Sequence, residues 1–350
     1  MKKSLTAIAV AALISAPVLV HADEGPTVFG KVHMAVEKAG KDELILNGGQ
    51  PRGSEFGARG NYDTNLMGMK SIYQFAMGFD TETGPFYIRD TWVGLSSKEY
   101  GTVRAGAMDT HYKDTAKPMD PFLSTALEGR KTSTGTRGGA AKTAGLNIMS
   151  KMHAAARDDG SLQYHTIRYD SPAISGVKAS AVYGLAENDK NNISVGVDYN
   201  EGPIFAFLDY ATYGAFSGGD AAGGVADATA TKIGGKYTMG DMSIAAQYEI
   251  DGGAISGVKD GKQNMIFVAG TYTMGATTFA ITVGNAAETL SDKKNGNTSF
   301  AIGVKQALAK KTTAYAGFGM LMNDKNASFD NVNKAGDDAS IFTVGMIQVF

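Results

Sequence analysis

Residues 337–350 read DDASIFTVGMIQVF. Successive side chains of an extended chain point to opposite faces. Phe342, Val344, Met346 and Phe350 therefore share one face, and Thr343, Gly345 and Val349 share the other. Gln348 interrupts the apolar stripe near its end. The last ten residues carry no charge, whereas most soluble chains end in a few frayed polar residues. A strand of this kind needs partners for its backbone on both sides. The stretch thus poses the question of which sheet it completes.

The same alternation runs through almost the whole chain after residue 26. In NISVGVDYN, Ile193, Val195, Val197 and Tyr199 oppose Ser194, Gly196, Asp198 and Asn200. In TKIGGKYTM, Lys232, Gly234 and Lys236 oppose Ile233, Gly235, Tyr237 and Met239. Sixteen such runs start near Val28, Ser54, Met67, Phe86, Thr102, Leu162, Val177, Ile193, Ile204, Thr229, Met242, Asn264, Thr277, Ser299, Thr312 and Ile341. Strict period two predicts strands with one apolar and one polar face.

Connectors sort by length. Even-numbered runs lead into short turns such as DTNL, NEGP, TMGD, TMGA and LAKK, and odd-numbered runs into longer polar stretches such as AGKDELILNGGQPRG and NDKNASFDNVNKAGDDA. Short turns at one end and long loops at the other describe an up-and-down barrel in an outer membrane. The expected fold is all-β, a 16-stranded antiparallel transmembrane barrel in which the last run pairs with the one at Val28. A barrel of that size encloses an aqueous channel. Gly is frequent (45 residues) and Pro rare (8), which suits tight turns and long paired strands. A net charge of −2 gives no basic excess for nucleic acid, and the absence of Cys excludes disulfides and thiol chemistry.

MKKSLTAIAVAALISAPVLVHA has a basic start, an apolar run and small residues at Val20 and Ala22. This is the layout of a secretory signal. Residues 1–22 are expected to be cleaved, leaving 23–350 as the barrel, located in the outer membrane of a Gram-negative cell.

SEFGARG, RDTWVGLSSKEYGTVRAG, TIRYDSP with VKASAVYG, and the final TVGMIQVF resemble the corresponding strands of the Gram-negative general porins common in β-proteobacteria. The resemblance covers essentially the whole mature chain. It implies a homotrimer, passive diffusion of ions and small hydrophilic solutes, and a third external loop folded into the pore. It also implies that Phe350 is read by the outer-membrane assembly machinery. The chain itself carries a connector of the expected kind: about fifty residues, 110–161, separate the fifth and sixth runs. Within it, AAKTAGLNIMSKMHAAA (140–156) is expected to form a short helix.

Selectivity in a channel comes from its width and the charges lining it. Alternation places Lys31, Arg59, Arg89, Arg104 and Arg168 on the lumen face, with Arg89 opposite both Ile88 and Trp92. The four arginines match positions of the basic wall in the porins that the chain resembles. Glu55 stands where Arg is common in that family, Ala107 replaces a second Arg, and the connector TETGP is shorter than the one that latches a neighbouring subunit. In the long connector, Lys113, Lys117, Arg130, Lys131, Arg137, Lys142, Lys151 and Arg157 outnumber Asp114, Asp120, Glu128, Asp158 and Asp159. Pore-lining candidates are thus Lys31, Glu55, Arg59, Arg89, Arg104, Arg168, Asp114, Asp120, Glu128 and Arg130, and the excess of cations favours anions.

Catalysis is not expected. No G-x-S-x-G, H-E-x-x-H, P-loop or dinucleotide motif occurs, and no metal or cofactor is expected. Three readings remain open: a nonspecific diffusion channel, a substrate-specific channel, and a soluble periplasmic β-rich binding protein.

Overall fold

The computed structural model describes residues 25–40, 43–48, 53–81, 86–129, 163–185, 192–213, 228–252, 262–288, 294–326 and 336–350. The expected signal peptide, Arg130 and the expected helix at 140–156 lie outside the described residues.

Eighteen strand segments follow one another. β1 is Thr27–Ala39, β2 Ile45–Asn47, β3 Ser54–Asp63, β4 Lys70–Phe79, β5 Phe86–Ile88 and β6 Thr91–Ser97. β7 is Gly101–Met108, β8 Gln163–Asp170, β9 Val177–Gly184, β10 Asn192–Glu201, β11 Ile204–Tyr213 and β12 Ala228–Met239. β13 is Met242–Gly252, β14 Gln263–Met274, β15 Thr277–Ala286, β16 Asn297–Ala309, β17 Thr312–Asn323 and β18 Ala339–Val349. Each pairs antiparallel with its neighbours. β2 and β3 both pair with β1, and β5 and β6 both pair with β4, so the segments make sixteen staves.

The barrel closes where β18 pairs with β1, from Lys31 opposite Val349 to Ala39 opposite Ile341. Phe350 extends the seam: its N–H donates to the Gly30 carbonyl (3.0 Å), and its ring covers Gly30, where a Cβ would sit 2.4 Å from the ring. Closure leaves neither of these strands as a free edge, which a bilayer requires.

The expected run starts fall close to the observed strands. One segment differs: Ile45–Asn47 falls within the first long connector of the sequence, yet it is strand and pairs with Ala35–Glu37. A three-residue strand is too short to show an alternating pattern. Tight turns carry the chemistry that they need. Gly240 and Gly275 open two-residue turns at φ +56° and +60°, a backbone conformation disfavoured for residues with a Cβ.

The outward face is apolar and exposed. Val93, Ile233, Ile244, Ile281 and Ile302 are all at least half accessible. The paired lumen positions are polar and buried, among them Ser194, Asp209, Lys232, Glu249 and Thr343. A soluble barrel would show the reverse. A Lys or Arg on the outward band would cost about 2–4 kcal/mol at the bilayer midplane. Among the described residues no helix is long and apolar enough to cross a membrane; the chain crosses with strands.

Candidate functional site

The start of the long connector packs on inward-facing side chains of the barrel wall. Thr110 caps α1 (His111–Ala116), its side chain accepting from the Lys113 N–H at 3.2 Å, and one 3-10 turn (Lys117–Met119) follows. Two apolar contacts seat residues 111–129 on the inner wall. Ala116 and Met119 pack on Phe207, Ala245, Phe267 and Ala269. Phe122, Ala126 and Leu127 pack on Ala280, Ala301, Leu321 and Ile341. The facing glycines Gly303 and Gly317 make room for the second contact. A Cβ on Gly303 would come 2.9 Å from Phe122 Cε1, and one on Gly317 would come 2.4 Å from Leu127 Cδ1. Ile341, on the lumen face of β18, thus receives this segment.

Beside α1, charge is buried and paired. His111 Nδ1 lies 2.5 Å from Asp209 Oδ1 on β11, and Nε2 lies 2.8 Å from Asp198 Oδ1 on β10. Thr115 Oγ1 donates to the other Asp209 oxygen at 2.5 Å. Lys232 on β12, fully buried, donates to the Tyr112 carbonyl and lies 3.6 Å from Asp209. Its ammonium also sits 4.3 Å from the Tyr112 ring centroid and 4.9 Å from that of Phe207. Arg168 on β8 donates to Asp114 (2.6 Å), to the Asp109 carbonyl (2.8 Å) and to Asp170 (2.9 Å). Lys113 and Lys117 both reach Asp109, at 2.7 and 2.8 Å.

These contacts set the protonation of the connector. Burial pushes the Asp109 carboxyl up, but Lys113, Lys117 and Arg89 outweigh it and hold it well below the ordinary carboxylate range. Asp114 follows the same pattern, with Lys117 and Arg168 overcoming burial. Burial alone would lower His111; its contacts with Asp209 and Asp198 hold it above the ordinary imidazole value.

The opposite arc of wall holds the predicted basic residues. Glu55 lies between Lys31 (3.9 Å) and Arg89 (3.2 Å). Arg104 donates to Asp170 (2.5 Å), so this carboxylate serves Arg104 and Arg168 together. Arg59 is exposed on the lumen face, its guanidinium 5.3 Å from the Phe29 ring centroid, and forms no ion pair among the described residues. Asp120 accepts from the Phe122 and Gly129 N–H groups (both 2.8 Å), and Glu128 from the Ser124 N–H (2.5 Å), so both tie the connector to itself.

Trp92 departs from the expected face. The register shifts by one residue between Met77 opposite Ile88 and Gln74 opposite Trp92. One extra residue at Arg89–Asp90 makes a bulge, which reverses the alternation beyond it. Arg89 and Trp92 therefore both face the lumen, and Arg104 lies 5.1 Å from the Trp92 ring centroid. Alternation places Asp198 and Lys232 on the polar face but does not show that they meet α1, and Asp209 emerges only from the structure. Asp170 and Asp109 emerge as shared partners only from the structure.

A family model described as Gram-negative porin matches residues 7–326. The chain belongs to the Gram-negative porin family. The porin is 25% identical to the major outer membrane protein P.IB of Neisseria gonorrhoeae over 93% of its own length and 95% of that protein's. It is 24% identical to P.IB of Neisseria sicca over 99% and 98%. In fold it is similar to the anion-selective porin from Comamonas acidovorans, with TM-score 0.75, 21% identity, and 93% and 99% of the two chains covered. It also resembles OmpT of Vibrio cholerae in its trimer form, with TM-score 0.67, 18% identity, and 93% and 100% covered. The porin is an outer-membrane channel protein, and the apolar outward face disfavours a soluble periplasmic protein.

Proposed function

We propose that this porin passes ions and small hydrophilic solutes by diffusion, prefers anions, and is narrowed where residues 109–129 lie inside the barrel. One observation carries the anion preference. On the arc from β1 to β8, Glu55 and Asp170 are each shared by two cations, and exposed Arg59 has no carboxylate partner among the described residues. Such an arc attracts anions into a channel whose field is not fully screened, since the Debye length is about 8 Å at physiological salt. The test is the reversal potential of the purified protein in a planar bilayer across a KCl gradient. Anion preference is the expected sign, and cation preference refutes the reading.

The porin is further proposed to be a homotrimer that reaches the membrane through a cleaved signal peptide and assembly machinery that reads Phe350. The trimer form of the Vibrio cholerae protein supports the first part by likeness of fold. Cross-linking in detergent and N-terminal sequencing of the outer-membrane protein test these parts: a monomer, or an uncut residue 1, refutes them.

A further inference from the structure

We propose that His111 is a proton-dependent latch that holds α1 against the inner wall and makes the pore's open state depend on pH. The inference rests on the reading that the lumen is the solute path.

Both ring nitrogens of His111 face carboxylate oxygens, Asp209 at 2.5 Å and Asp198 at 2.8 Å. A neutral imidazole has one N–H and one lone pair. With both carboxylates ionised, only the imidazolium can donate to each; the neutral ring turns one of these contacts into a lone pair against an anion. The ring cannot slip aside toward the wall. It lies over Gly196, where a Cβ would be 2.2 Å from Nδ1.

The charges around the ring come from every element packed on α1. Asp198 on β10 and Asp209 on β11 favour the cation. Arg168 on β8 opposes it. Lys178 on β9 lies 3.9 Å from Asp198, and Lys232 on β12 lies 3.6 Å from Asp209, so each carboxylate already has one basic neighbour. Glu249 on β13 is directly across from Lys232 and offsets it. Asp114, within α1, is engaged by Arg168 and Lys117.

Protonation and docking are therefore linked. The docked imidazole binds its proton more tightly than a free one, so the latch is fully set below the free value of about pH 6.5 and is lost as pH rises through the docked value. Over that window the docked-to-released ratio falls by up to about tenfold per pH unit for one proton. Loss of the latch leaves α1 held by its apolar contacts, the Arg168–Asp114 pair, and the bonds from Thr115 to Asp209 and from Lys232 to the Tyr112 carbonyl, a weaker seat in which the segment moves more freely.

Single-channel recording in planar bilayers across neutral to alkaline pH tests this. The wild type should pass from a quiet conductance to a noisier, higher one with the steepness of a single proton. His111→Gln, which cannot donate from both ends to the two carboxylates at once, should be noisy throughout and show no step. A step of unchanged midpoint in His111→Gln, or a wild type indifferent to pH, overturns the latch while leaving the channel reading intact; no conductance at all would instead count against that reading. If His111→Gln does not assemble, ¹⁵N-histidine spectra of the wild type decide. One histidine should remain doubly protonated above the free imidazole value, and a set of wholly neutral rings there overturns the proposal.

Discussion

Phe122→Ala should loosen the segment inside the barrel without opening the barrel. Phe122 is 1% exposed and sits over Gly303 among Ala280, Ala301, Leu321 and Ile341. A released segment exposes this ring to lumen water. The relevant loss is thus the transfer of one aromatic side chain, toward the upper part of about 1.5–3 kcal/mol. A closed soluble core would lose about 3–5 kcal/mol for the same change, but water can fill the space left here. Two to three kcal/mol corresponds to roughly a 30- to 140-fold fall in the docked-to-released ratio, at about 1.4 kcal/mol per tenfold. Strand pairing is untouched, so heat-modifiable migration in detergent should persist. The assay combines single-channel current noise with trypsin cleavage after Lys113, which docking keeps in an ion pair with Asp109. Gly303→Ala approaches the same contact from the wall and should act in the same direction. A folded Phe122→Ala barrel with wild-type noise and an uncut segment would refute the view that this contact seats the connector.

Asp170→Asn removes the carboxylate shared by Arg104 and Arg168 and should shift the reversal potential further toward anions; an unchanged or opposite shift in a KCl gradient counts against a basic wall. Arg59→Glu should move it the other way with little change in assembly, as Arg59 forms no ion pair among the described residues. Asp109 and Asp114 are held below the ordinary carboxylate range, so their stabilisation of the docked segment is present above about pH 4 and is lost only as pH falls through their lower docked values; protease protection should survive mild acid, and its loss near pH 4 would contradict the pairing. Deleting Phe350 should lower the yield of assembled protein in outer-membrane fractions more than it alters the conductance of the protein that does assemble.

Where each strand lies could be read from alternation because lipid on one side and polar surface on the other impose period two on every stave. The runs at Ile193, Thr229 and Met242 show it, and their observed segments begin within a residue of those positions. The bulge at Arg89–Asp90 could not be read this way. A single inserted residue leaves each half of the stave alternating correctly and changes only their relation, so unbroken alternation puts Trp92 on the wrong face. Ile45–Asn47 was hidden for another reason: three residues carry too little pattern. The basic wall was legible residue by residue, yet its neutralisation was not. Asp170 follows Arg168 by two positions, and period two places both on the lumen face, but only the register between β7 and β8 brings Arg104 to the same carboxylate.

Alternation separates inside from outside; it does not separate wet from dry. Lys232, Asp209 and Glu249 face inward and are nonetheless buried, because the connector covers that arc of wall. Covered charges must be paired, since breaking a buried pair by removing one partner costs about 3–5 kcal/mol. The far wall therefore spends its ionic groups on holding α1: His111 between two aspartates, Lys232 under Tyr112. The arc from β1 to β8 meets the lumen with partly exposed cations instead, Lys31, Arg59, Arg89 and Arg104. The same inward-facing pattern thus serves two purposes, and what divides them is a segment distant in sequence. A charge change on β10–β12 should act first on where the connector sits, and one on β3–β7 first on which ions pass. Asp209→Asn and Arg59→Glu, compared for protease protection and for reversal potential, should move different readouts, and equal effects on both would dissolve the division.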